Sequence, residues 1–137
     1  MNPKTRRNMD NSEGDKQKTK KVLIIEDDDT IRKLIAIECK RKGFEVLEYR
    51  DAASAMSTID RNKPDIDVAV VDLMNMGYGG NIGEYLKNHS EYKNTRVIYY
   101  TALTEKQFNS SILDAPNTYY VHKVPGSIKK VIELIEQ

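Results

Sequence analysis

Four consecutive carboxylates, Glu26, Asp27, Asp28 and Asp29, follow the aliphatic run VLII at residues 22–25. Like charges held that close repel, and burying one is costly unless it is paired or bound to a cation. Three further polar residues stand at the ends of apolar runs: Asp72 after VAVV (68–71), Thr101 after RVIYY (96–100) and Lys123 after TYYVH (118–122). Each is a weak signal alone. Acids at a helix start complement the helix dipole, and that reading is kept for Asp28 and Asp29. Together they define a chemistry. If the first and third runs are neighbouring strands, Glu26, Asp27 and Asp72 converge, and a hard cation with oxygen ligands is the simplest way to neutralise them. Mg²⁺ suits the set best, because it takes few protein ligands and leaves coordination positions open for phosphate oxygens. The Thr101 hydroxyl and the Lys123 ammonium would face an anion arriving at a carboxylate. Such a site could make an acyl phosphate, with Asp72 attacking phosphorus, Lys123 stabilising charge on the phosphoryl oxygens and Thr101 holding one oxygen afterwards.

The elements that must carry these residues alternate along the chain from residue 21. VLIIE (22–26) reads as a strand buried on both faces, FEVLEY (44–49) alternates with period two, and VAVV, RVIYY and TYYVH are further strands. Between them the apolar spacing predicts helices from Asp29 or Thr30 to Lys42, after an Asp51 cap to Asn62, and from Ile82 to about Asn88. A weaker helix is expected around Thr104 to Leu113, where Asn109, Ser110 and Ser111 are poor helix formers. Ser127 is expected to cap a final helix that turns Ile128, Val131, Ile132 and Ile135 inward. Strand then helix, five times over, predicts an α/β domain with a parallel sheet, helices on both faces, and ligands at the carboxyl ends of the strands.

The motifs VLIIEDDDTIR, VAVVDLM, VIYYTA and YYVHK resemble those of a response-regulator receiver domain of bacterial two-component signalling, the family of the chemotaxis regulators. The resemblance covers residues 21–137. It implies a doubly wound, flavodoxin-like (βα)5 sheet of strand order 2-1-3-4-5, an order taken from the family rather than read from spacing. It implies Asp72 as the phosphoacceptor and Mg²⁺ held by Glu26, Asp27, Asp72 and the backbone carbonyl of Met74. Thr101 and Lys123 would contact the phosphoryl group, small Ala102 would leave it room, and Tyr120 would change rotamer with Thr101. Met74 and Leu103 stand where the family tunes dephosphorylation; both are apolar, so neither orients an attacking water, and a long-lived phosphoryl state is expected. The implied partners are a histidine kinase or phosphotransfer protein and a downstream protein met through the surface around the fourth helix, fifth strand and last helix.

Three positions depart from the family pattern. Val124 stands between Lys123 and Pro125, where the family joins lysine to proline by a cis bond, so either a costly cis Lys-Val bond is retained or the loop runs differently. Met76 and Gly79 replace a proline and an aspartate in the loop after Asp72, and Gly77, Gly79 and Gly80 make that loop permissive. These departures support a second reading, a receiver-like binding module that is not phosphorylated. An aspartyl-nucleophile phosphatase is a third, but it wants an acid two residues after Asp72, where Met74 stands.

Composition excludes other classes. The 137 residues are 31% charged and 39% hydrophobic, and no apolar run approaches the length of a membrane span. Residues 1–20 hold six basic residues against three acids and no aliphatic pattern, so they are expected to form a disordered basic tail before a receiver domain at 21–137. The acids Asp10, Glu13 and Asp15 interrupt the basic patch of Lys4, Arg6 and Arg7, which argues against a nucleic-acid-binding arm. The polar MNPKTRRNMD start is unlike a secretory signal, so a cytoplasmic location is expected. Cys39, the single cysteine, reads as a buried core residue, and the spacing of His89 and His122 suits no zinc site. GYGGNIG (77–83) lacks the last glycine of a dinucleotide fingerprint. Gln137 ends the last expected helix, so output is expected to pass through binding another protein rather than through an effector domain.

Overall fold

A computed structural model of the chain describes residues 19–74 and 79–137. The strands are β1 (Lys21–Ile25), β2 (Glu45–Tyr49), β3 (Val68–Val71), β4 (Arg96–Thr101) and β5 (Thr118–His122). The helices are α1 (Asp29–Arg41), α2 (Ala52–Asn62), α3 (Gly79–Lys87) and α4 (Ile128–Glu136). All four strand pairings are parallel, and the sheet runs β2-β1-β3-β4-β5. This is the 2-1-3-4-5 order of a doubly wound, flavodoxin-like sheet. Successive side chains of a strand point to opposite faces, so each strand feeds two cores. Val22 and Ile24 join Ile35, Cys39, Val131 and Ile135 beneath α1 and α4. Leu23 and Ile25 join Ile59, Ile82, Leu86 and Val97 beneath α2 and α3. The Cys39 thiol, nearly fully buried in the first core, is pushed up to about 11 by desolvation and cannot serve as a thiolate near neutral pH.

Helix ends follow local chemistry. Asp28 caps α1 by accepting from the Ile31 N–H at 3.0 Å, and Asp51 caps α2 by accepting from Ser54 at 2.7 Å. Gly43, with a positive φ of 86°, takes the left-handed turn just past α1. Lys20 donates to the Ile135 carbonyl at 2.8 Å, so residue 20 closes on the end of α4. The rest of the expected tail, through residue 18, lies outside the described residues, as do Met76 and Gly77 of the loop after Asp72.

Two expectations fail. The helix expected around Thr104 to Leu113 is instead a pair of 3-10 turns, Glu105–Gln107 and Ser110–Asp114, separated by Phe108 in an extended conformation. Asn109 spends its side chain on the N–H and the hydroxyl of Ser111, at 3.1 and 2.8 Å, which favours a local turn over a continuous helix. Ser127 precedes α4, but its hydroxyl makes no cap. It pairs with the Tyr100 hydroxyl at 2.7 Å and accepts from the Val124 N–H at 3.2 Å. No helix among the described residues is long and apolar enough to cross a membrane.

Candidate functional site

The sheet brings the ends of β1, β3, β4 and β5 to one edge. Because β1 and β3 are direct neighbours, residues just past them, Glu26 and Asp72, lie side by side; the Asp72 N–H donates to the Ile25 carbonyl at 3.2 Å. One carboxylate oxygen from each of Glu26, Asp27 and Asp72 falls within 4.8 Å of the others. Glu26 and Asp72 are buried, whereas Asp27 faces solvent. Lys123, just past β5, crosses the edge and places its ammonium 2.6 Å from Glu26 Oε1 and 2.8 Å from Asp72 Oδ2.

The two acids are held by further donors. Glu26 Oε2 accepts from the Asp28 N–H at 3.1 Å, and Asp72 Oδ1 accepts from the Met74 N–H at 3.0 Å. Burial pushes the Glu26 carboxyl above its ordinary value despite the Lys123 ammonium and the Asp28 N–H, which pull it down. Burial alone would lower Lys123, but its bonds to Asp72 and Glu26 outweigh that and leave it raised, a firmly charged ammonium. Lys123 therefore supplies the positive charge that two buried acids require.

Thr101 is fully buried at the end of β4, and its Oγ1 accepts from the Leu103 N–H at 3.2 Å. Tyr120 donates its hydroxyl to the Leu103 carbonyl at 2.7 Å, so both side chains grip the same residue of the β4–β5 connection. Met74 is 60% exposed. Among the described residues no peptide bond is cis, so the Lys123–Val124–Pro125 loop runs with trans bonds and Lys123 still reaches both acids. His89 lies away from the site, stacked on Tyr85 at 3.9 Å between centroids, with Nδ1 2.7 Å from the Tyr85 carbonyl.

Sequence reasoning missed Arg32. It lies in α1 at 7% exposure and donates to the Glu26 carbonyl at 2.8 Å. The available signal was a single arginine on a helix stripe otherwise filled by Ile31, Ile35 and Cys39.

The chain belongs to the response regulator receiver domain family, whose model matches residues 22–136. It is 27% identical over 118 residues to the polar-differentiation response regulator DivK of Brucella ovis, spanning 86% of this chain and 94% of that protein. Among solved structures, the receiver domain of the Francisella response regulator 1452 is 27% identical with a TM-score of 0.71, over 86% of this chain and 94% of that one. The Thermotoga maritima response regulator TrrA, solved in complex with Mg²⁺-BeF, is 20% identical with a TM-score of 0.67, over 85% of this chain and 99% of that one. The protein is a phosphoacceptor receiver of a two-component phosphorelay, a signalling module rather than an enzyme, and its Glu26, Asp27 and Asp72 cluster fits the phosphorylation site. A receiver implies a histidine kinase as partner.

Proposed function

We propose that Asp72 is the residue phosphorylated, in a reaction that requires Mg²⁺ bound by Glu26, Asp27, Asp72 and the Met74 carbonyl. The observation that carries this reading is the convergence of three carboxylates within 4.8 Å, with an ammonium as their counter-charge. The donors are all hard oxygens, and the one exposed acid, Asp27, leaves the cluster open on the solvent side, which suits Mg²⁺ retaining several waters. When bound, the ion supplies charge neutralisation at the phosphoryl oxygens.

Asp72 attacks phosphorus through one carboxylate oxygen. The new P–O bond forms as the P–N bond of a phosphohistidine breaks, and the imidazole leaves and recovers a proton from solvent. Lys123 moves its ammonium from the free carboxylate to an oxygen of the phosphoryl group. Thr101 accepts from Leu103 and keeps its own proton to donate to a second oxygen. That motion draws on the Leu103 segment, which Tyr120 also holds, and so alters the surface formed by the 3-10 turns, β5 and α4.

The trans loop removes the support that Val124 lent to a receiver-like module without phosphorylation, since Lys123 still pairs with both acids. The test is incubation with acetyl phosphate and Mg²⁺ followed by intact mass measurement. A gain of one phosphoryl group is expected, released by hydroxylamine as an acyl phosphate must be, and absent in Asp72→Asn. A phosphoryl group retained in that variant would place the chemistry elsewhere. Because Met74 cannot orient a water, Met74→Asn is expected to shorten the lifetime of the phosphorylated form several-fold; an unchanged lifetime would remove Met74 from that role.

A further inference from the structure

We propose that Arg32 is a positioning residue for the metal-binding acids: its buried guanidinium sets the peptide that aims Glu26 and Asp27 at Asp72. The inference rests on the Mg²⁺ reading above and adds a residue that acts through the acids without touching the ion.

Glu26 lies just past the end of β1. Its N–H still bonds across the sheet to the Tyr49 carbonyl at 3.0 Å, but its own carbonyl extends past the strand's end. Arg32 Nη1 supplies a donor there at 2.8 Å. The peptide that joins Glu26 to Asp27 is thereby tied to α1, while a carboxylate oxygen of each of these two residues lies within 4.8 Å of one of Asp72. A rotation of that peptide would swing both side chains at once.

The guanidinium is itself held at two further points. Nη2 donates to Asp29 Oδ1 at 2.7 Å, and Nε lies 3.5 Å from Glu48 Oε1 on β2, an ion-pair separation longer than a hydrogen bond. Asp29 is also gripped by Arg50. Arg32 therefore ties α1, β2 and the β1–α1 turn together through one planar group. A lysine keeps the charge but is a single point with a flexible stem, and it cannot satisfy three partners lying in different directions. Partners one step behind metal ligands typically change metal affinity by roughly 10- to 100-fold when removed.

The test is Mg²⁺ titration by calorimetry on the full chain, alongside thermal melts in EDTA, for the unaltered protein, Arg32→Lys, Arg32→Met and Ile59→Val. Ile59 is a fully buried residue of α2 and controls for lost stability alone. Arg32→Lys is expected to weaken Mg²⁺ binding about tenfold, with the rate of phosphorylation by acetyl phosphate recovering near its original value at saturating Mg²⁺. Arg32→Met is expected to weaken binding at least as much. Ile59→Val is expected to lower the melting temperature and leave Mg²⁺ affinity unchanged. Mg²⁺ affinity within twofold of the original in a folded Arg32→Lys, or an equal loss in Ile59→Val, would overturn the positioning role and leave the metal site standing. Absence of Mg²⁺ uptake by the unaltered protein would overturn both.

Discussion

The β1–α1 corner and the β4–β5 connection begin at the same edge of one sheet, yet they are built in opposite ways. In the corner, residues 26–32 are tied by the Asp28 cap, by the Glu26 bonds to Tyr49 and Asp28, and by the Arg32 fork. In the connection, most side chains between Ala102 and Asn117 are exposed or half-buried, and the backbone turns on short 3-10 segments. Its tie to the site is narrow: Thr101 and Tyr120 both bond to Leu103. Pre-organised ligands suit a reaction, whereas a segment with few buried contacts can change conformation for little free energy. Under the proposed function, that difference would separate the part of the molecule that does chemistry from the part that reports it.

The sharpest test of that contrast compares buried apolar residues in the two regions. Leu23→Ala, at a fully buried position of β1, is expected to cost about 3 kcal/mol in urea unfolding. Phe108→Ala, half-buried in the connection with its ring 5.7 Å from that of Tyr120, is expected to cost less than about 1 kcal/mol. Equal losses would erase the distinction.

A second test concerns α3, the helix that follows the loop after Asp72. A Cβ at Gly83 would meet the Tyr99 hydroxyl at 1.8 Å and its ring carbon at 2.8 Å, so α3 lies against β4 with no room to spare. Gly83→Ala is therefore expected to destabilise by about 2 kcal/mol despite alanine's better helix propensity. Adding Tyr99→Phe should recover part of the loss, measured as a double-mutant cycle. A neutral Gly83→Ala would mean that α3 shifts freely.

The smallest expected effect is at a cap. The Ser54 N–H and hydroxyl hold the Asp51 carboxyl below its ordinary value. A lowered value means that the cap contributes fully above the ordinary carboxylate range and is lost as pH falls through the lowered one. Asp51→Ala should thus reduce the melting temperature at neutral pH and by progressively less in strong acid. A constant difference across pH would show that the cap owes nothing to the carboxylate charge.

The strands were legible within a residue at each end, because apolar runs bounded by polar residues leave few alternatives. The placement of the candidate residues was legible for the same reason: Asp72, Thr101 and Lys123 each end or follow an apolar run, and the parallel sheet gathers those ends at one edge. What stayed hidden depended on partners far along the chain. The Ser127 hydroxyl is taken by Tyr100, and Arg32 answers a carbonyl six residues earlier and a glutamate sixteen residues later. The absence of the helix expected around Thr104 to Leu113 was foreshadowed by Asn109, Ser110 and Ser111, whose side chains compete for the backbone.

In the proposed function Glu26, Asp27 and Asp72 form one divalent-ion site whose occupancy gates phosphorylation of Asp72. Phosphoryl incorporation from acetyl phosphate, followed by intact mass across a Mg²⁺ titration, tests it most directly. Incorporation should saturate at one group per chain, vanish with EDTA, and shift to higher Mg²⁺ in Asp27→Asn. The same extent and rate of phosphorylation with and without divalent ion would rule out a metal-gated site.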